Sequence, residues 1–295
     1  MPKKSKDEAL KNYMSNNTIF SDIVNFYLYN GKKVIKESDL HELDTTFVNT
    51  NEDIFEKSRD LFKEVVIKSD KNNTYILLGI ENQTKIDKHM ILRVLLYDSL
   101  AYRKQFKNEN KNAIIKPVIT IVIYYGKKKW NAPKSIHEIF KNIDNHILKY
   151  IPNYHLNLIE PYFMSDDEID SLNSDFQILC DFIRKSDSKE GIKYLMNRKY
   201  MPTKETVSII NYITDSKLKF NEEEDKLDMC KGLDEFRKEA LDEGKTEGLA
   251  EGIAEGKLEQ EKINIKTMHK NGFDENTIAK ALSLDIKYVK EVLNS

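Results

Sequence analysis

The stretch that most restricts how this chain can fold is Val118–Tyr125, which reads Val-Ile-Thr-Ile-Val-Ile-Tyr-Tyr and runs into Gly126. A continuous apolar run of strand length reads as a β-strand buried on both faces. It is far too short to span a bilayer. A strand covered on both sides needs a layer above and a layer below, so the run points to an α/β core.

The segments before it fit that core. Residues 15–30 carry Ile19, Phe20, Ile23, Phe26 and Tyr27 on one helical face, with Gly31 as the stop. Leu43–Val48 is a candidate strand. Leu61–Lys68 and Tyr75–Glu81 are stronger ones, rich in β-branched and aromatic residues, and the polar stretch Ser69–Asn73 between them reads as a hairpin turn. A helix from about Asp87 to Phe106 places Met90, Val94, Tyr97 and Ala101 at helical spacing. The order is helix, strand, strand, strand, helix, strand. Beyond Gly126 the pattern is mostly helical, with helices expected at 135–149, 167–185, 188–198 and 203–215 and one strand at Tyr154–Ile159.

Charge is unevenly spread. The 295 residues carry a net charge of −2, but residues 222–262 hold 15 acidic and 7 basic side chains, leaving the remainder mildly basic. Lys127, Lys128 and Lys129 concentrate positive charge locally and are the candidate contacts to a DNA backbone, with Trp130 as a stacking ring; a solvated turn beside a partly buried Trp is the alternative. Cys180 and Cys230 are too few and too far apart for a disulfide framework or a zinc site, and they read as thiols of a reducing cytoplasm. The basic N-terminus is followed by Asp7-Glu8 where a signal peptide needs an apolar stretch. These features predict a cytoplasmic protein with no membrane partner. The six histidines show no paired ligand spacing, and there is no Walker loop and no nucleophile elbow.

The chemistry concentrates between Asp60 and Gln83. Asp60 opens one predicted strand, Glu81 closes its partner, and Gln83 projects from the same face as Glu81 because side chains alternate along a strand. Glu81 follows apolar or Gly positions, where a carboxylate is costly to desolvate without a partner. A hard cation bridging Asp60 and Glu81 would remove that cost, and Mg²⁺ is suited by one or two carboxylates. Gln83 would then orient a water or touch a phosphate oxygen. The spacing equally describes charged residues on two solvated strand ends.

Resemblance separates these readings. Arg59-Asp60-Leu61, then Tyr75-Ile76-Leu77-Leu78-Gly79-Ile80-Glu81-Asn82-Gln83-Thr84, then the Met90–Asp98 helix with Arg93 and Tyr97, resemble the Rpn family of recombination-promoting nucleases and YhgA-like transposases. Pro117–Gly126 with Trp130 and Pro133 is similar to the strand that follows in that family, and the Glu-Gly repeats recur in its members. The resemblance implies a PD-(D/E)XK restriction-endonuclease-like core, a mixed sheet flanked by helices, acting as a Mg²⁺- or Mn²⁺-dependent endodeoxyribonuclease. It implies that Asp60 and Glu81 bind metal and that Gln83 replaces the usual Lys. A Gln offers only a dipole where a Lys offers charge, and Arg93 is the candidate to supply that charge. Asp22 on the first helix is the candidate to assist a metal-bound water. Tyr125 stands where relatives often have His. Links to recombination, transposase-like behaviour and phage defence are likewise implied only by the resemblance.

Four segments follow: a nuclease-like domain over 10–165, a helical region over 166–221, an acidic arm over 222–262 and a small helical tail over 263–295. The arm repeats Glu-Gly at Gly244, Gly248, Gly252 and Gly256, a small-residue stripe that would let two copies associate as a homo-oligomer, or else an acidic linker. The tail has N-caps at Asp274 and Asp285 and resembles a helix-turn-helix, but its near-neutral charge suits packing or oligomerisation better than DNA reading. Two functional readings result: a metal-dependent DNA endonuclease with little sequence preference, or a catalytically inactive nuclease fold serving as a DNA-binding or oligomeric regulatory protein.

Overall fold

The computed structural model describes residues 6–43, 46–47, 57–58, 60–68, 73–106, 114–219 and 225–295. Residues up to Leu233 form one compact unit and Asp234–Ser295 a second.

The first unit is built on five strands. β1 (Leu40–Glu42), β4 (Leu61–Lys68), β5 (Asn73–Gln83), β6 (Val118–Tyr124) and β7 (Asn157–Ile159) lie side by side in that order, while β2 (Thr46–Phe47) and β3 (Lys57–Ser58) pair separately. The β1–β4 and β4–β5 pairs are antiparallel; β5–β6 and β6–β7 are parallel. The apolar run at Val118 is thus an internal strand of a mixed sheet, next to the long strand that carries Glu81. The expected strand at Leu43–Val48 overlaps only β2 and lies partly outside the described residues; of the expected turn Ser69–Asn73, Asn73 opens β5 and the rest lies outside them.

The parallel step from β5 to β6 needs a crossover, and α3 (Met90–Phe106) provides it. Met90, Ile91 and Val94 of α3 pack with Val122, Tyr124, Trp130, Ala132, Ile136 and Leu156, and each fully buried Met, Ile, Val or Leu among them contributes about 1.5–3 kcal/mol. Phe62 and Leu77 meet Ala101 on the same side. Alternation then assigns Gly79, Glu81 and Gln83 to the α3 face of the sheet.

The opposite face is covered by α1 (Lys6–Ser15) and α2 (Asn17–Tyr29). Lys63 points to that side and is 1 % exposed. Its ammonium lies 5.1 Å from the Phe20 ring centre and donates to the Ser15 carbonyl and to Asn17 Oδ1, both at 2.5 Å. These contacts, together with Glu42 Oε1 at 3.7 Å, hold a buried cation where α1 meets α2. The α2 helix ends with Asn30 in the left-handed region, and Gly31 follows at φ 78°. A Cβ on Gly31 would come within 2.8 Å of the Ser171 carbonyl, so both backbone angle and space call for glycine.

The helical stretch after β6 departs from expectation in two places. Residues 135–149 hold a short 3₁₀ turn, His137–Ile139, and one turn of helix, α4 (Asn145–Leu148), instead of a continuous helix. The Ile136 N–H donates to the Tyr154 carbonyl and the Leu156 N–H to that of Lys134, so backbone pairing with residues 154–156 replaces helical bonds. Residues 167–185 break into α5 (Asp166–Asp170) and α6 (Asp175–Lys185), with Ser174 capping the second. Then follow α7 (Lys189–Asn197) and α8 (Lys204–Thr214). The segment 166–221, set apart in the sequence, lies within the first unit: α6 packs against α2, and α8 against α1.

The second unit contains most of α9 (Met229–Lys270) with α10 (Glu275–Leu282) and α11 (Ile286–Asn294). Asp274 and Asp285 cap α10 and α11 by accepting from the Thr277 and Lys287 N–H groups. Ile265, Ile278, Ala279, Val289 and Val292 form a small core. Gly252 and Gly256 face open space along α9. No helix among the described residues is long and apolar enough to cross a membrane.

Candidate active site

The register of β4 on β5 pairs Leu61 with Ile80. Asp60 stands just before β4 and Glu81 one residue past Ile80, so both lie at the end of the β4–β5 pair away from its turn.

Their surroundings differ. Glu81 is 1 % exposed. On the helix facing it, Arg93 sets Nη2 3.8 Å from Glu81 Oε2 and donates from Nη1 to Asp87 Oδ2 at 2.8 Å. Burial alone would raise the Asp87 pKa, but hydrogen bonds from Arg93 and the His89 N–H outweigh it and hold the carboxyl below its ordinary range. Burial would likewise lower the Arg93 pKa, and its bonds to Asp87 and Tyr97 reverse the direction. Arg93 is thus a firmly charged group held between two carboxylates.

Asp60 is half-buried and accepts a 2.7 Å hydrogen bond from the Asn82 N–H on Oδ2. Burial pushes its pKa up; the Asn82 N–H and the charges of Lys11 and Arg93 work against this without cancelling it. Gln83 shares the Glu81 face, and its carbonyl accepts from the Tyr125 N–H at 2.9 Å. The Tyr125 hydroxyl donates to Asn82 Oδ1 at 2.9 Å, and burial raises its pKa far enough that it remains a donor.

The sequence profile of the family described as "Putative transposase, YhgA-like" matches residues 4–205. The chain belongs to this family. No curated protein and no solved structure gives a significant match. The family match begins before α1 and ends within the first turn of α8, so all the strands and the residues of the candidate site lie inside it, while α9 to α11 lie beyond it.

Within the YhgA-like region the remaining candidates are dispersed. Asp22 is buried, but its carboxylate accepts from the Asn173 N–H, the Ser174 N–H and the Ser174 hydroxyl at 2.6–3.0 Å. Those bonds tie α2 to the start of α6, so its place in the structure is that of a helix-capping carboxylate, and it is left out of the metal-binding pair. Lys127, Lys128 and Lys129 follow β6. Because β6 runs parallel to β5, with Tyr124 beside Gln83, this turn leaves the sheet at the end where Glu81 sits. Lys127 pairs with Asp187 at 2.6 Å and Lys129 lies 4.8 Å from the centre of the Phe163 ring. Trp130 is no stacking platform: it is 4 % exposed and packs edge-to-face on Tyr124, with ring centres 5.2 Å apart.

Asp87, Lys11 and Asn82 escaped the sequence reading, which noted Tyr125 only as standing where relatives often have His. Asp87 meets Arg93 at a separation of six, outside the usual helical pair spacings. Lys11 and Asp60 are brought together only by the packing of α1. Asn82 was in view between Glu81 and Gln83, but alternation turns it to the other face.

Proposed function

We propose that this YhgA-like chain is a metal-dependent DNA endonuclease of the PD-(D/E)XK type, hydrolysing phosphodiester bonds with little sequence preference. What supports this reading is the placement of Asp60 and Glu81 at one end of the β4–β5 pair, with the Arg93 guanidinium 3.8 Å from Glu81. Two hard oxygen donors suit Mg²⁺ or Mn²⁺. Among the described residues no group of three or more His, Cys, Asp or Glu is placed to hold a metal. Mg²⁺ needs only one or two carboxylates when waters and substrate phosphate oxygens complete its shell, so the pair fits. When bound, such an ion activates water and offsets charge growing on the phosphodiester.

The chain's own groups have distinct tasks. Asp60 and Glu81 would hold the cation. Gln83, on the Glu81 face, would hydrogen-bond the attacking water or a phosphate oxygen. It brings no formal charge, so the cationic contribution falls to Arg93, whose side chain remains 35 % exposed. Lys128 and, once parted from Asp187, Lys127 would contact the DNA backbone.

A second reading has its own support. The Arg93 guanidinium already offsets part of the Glu81 charge, as expected of a nuclease fold kept for binding DNA. Nicking of supercoiled plasmid with Mg²⁺ or Mn²⁺ distinguishes them. The endonuclease reading expects wild type to nick and Glu81→Ala to lose about 100-fold or more. Equal cleavage by both would place the active site elsewhere. DNA binding without cleavage by either would support the binding reading.

A further inference from the structure

Asn82 sits between Glu81 and Gln83, yet its side chain belongs to the other face of the sheet. Tyr125, one residue beyond β6, reaches it there. The tyrosine is fastened twice to this segment, by its hydroxyl on Asn82 Oδ1 and by its N–H on the Gln83 carbonyl, both at 2.9 Å. Asn82 in turn donates its own N–H to Asp60 Oδ2 at 2.7 Å. Hydrogen bonds therefore connect a buried ring, through Asn82, to one of the two carboxylates.

This connection restricts Asp60. With Oδ2 committed to the Asn82 N–H, rotation of the carboxylate is opposed and its second oxygen is held in one direction. The Asn82 amide is restricted too, because its oxygen is occupied by the Tyr125 hydroxyl and the group cannot flip without losing that bond. The Asn82 side chain also acts on the Asp60 carboxylate through a hydrogen bond, in addition to its backbone N–H.

We propose that Asn82, oriented by Tyr125, is a positioning residue that fixes the Asp60 carboxylate for a divalent cation. This rests on the metal-site reading above. Second-sphere partners of metal-binding carboxylates typically influence metal affinity by 10–100-fold, and the effect here arises from lost orientation of Asp60 with both metal-binding carboxylates retained.

Mn²⁺ binding to the full chain, measured by calorimetry and by electron paramagnetic resonance, tests the proposal on wild type, Tyr125→Phe, Asn82→Ala and Glu81→Ala. Tyr125→Phe and Asn82→Ala are expected to weaken Mn²⁺ binding by about 10-fold. Raising the Mn²⁺ concentration should then restore plasmid nicking, which a folding defect would not allow. Circular dichroism identifies which variants fold, and either folded variant suffices. A folded variant that binds Mn²⁺ as tightly as wild type overturns the proposal and leaves the metal site standing. Wild type binding Mn²⁺ no better than Glu81→Ala sinks the metal site, and the positioning role with it. Loss of fold in both variants would show that the Tyr125–Asn82 link is structural, and would also overturn it.

Discussion

Among the described residues, Arg93 lies within ion-pair distance of Glu81, so removing it has a calculable consequence. At 3.8 Å, two unit charges in a medium of effective dielectric about 20 attract by about 4 kcal/mol. That is an upper bound here. Arg93 is a third exposed and shares its charge with Asp87, and water screens such pairs strongly, which leaves about 1 kcal/mol of net coupling between Arg93 and Glu81. A double-mutant cycle isolates it: wild type, Arg93→Ala, Glu81→Gln and the double variant, each unfolded in urea without added divalent metal at low and at high salt. The expected coupling is about 1 kcal/mol at low salt, falling as salt screens the exposed side of the pair. Additive effects, within about 0.3 kcal/mol, would refute the claim that Arg93 acts on Glu81.

Two further expectations follow from other parts of the fold. Asp181 is buried beneath Tyr200, whose hydroxyl donates to Oδ2 at 2.5 Å; burial raises its pKa more than Tyr200 and Arg198 lower it. A carboxyl whose folded pKa is raised contributes stability that is present below its unfolded pKa, about 3.9, and lost as pH rises through the folded value. Asp181→Asn should therefore gain stability relative to wild type between about pH 4 and pH 7 in urea titrations; a gap that does not change with pH contradicts this. Among the lysines after β6, Lys128→Ala should lower the salt dependence of DNA binding by about one unit of log–log slope, and Lys127→Ala by less, because Lys127 must first leave Asp187. Equal slopes for wild type and Lys128→Ala would remove this turn from the DNA contact.

Much of the core was legible because its signals are local. Val118–Tyr124 is an internal strand because its side chains are apolar on both faces, and the β4–β5 pair follows from its β-branched and aromatic residues. That Asp60 and Glu81 stand at the same end of that pair was legible once the two strands were aligned. Helix α1 was not read from the sequence: Leu10, Tyr13 and Met14 have helical spacing and are buried, but lysines and acids surround them and dilute the apolar pattern. The break between α5 and α6 depends on Asp22, some 150 positions earlier in the chain, taking the N–H groups of Asn173 and Ser174. No periodicity reports a bond of that range. Asp22 was a metal-site candidate by resemblance alone, and those same bonds to Asn173 and Ser174 are partners the sequence does not disclose.

The central claim is that Asp60 and Glu81 share one divalent ion. Anomalous diffraction from crystals soaked in Mn²⁺ tests it most directly. The account predicts a single strong peak about 2.1 Å from a carboxylate oxygen of each residue, absent in Glu81→Ala. A peak elsewhere, or none between these two side chains at saturating Mn²⁺, would contradict it.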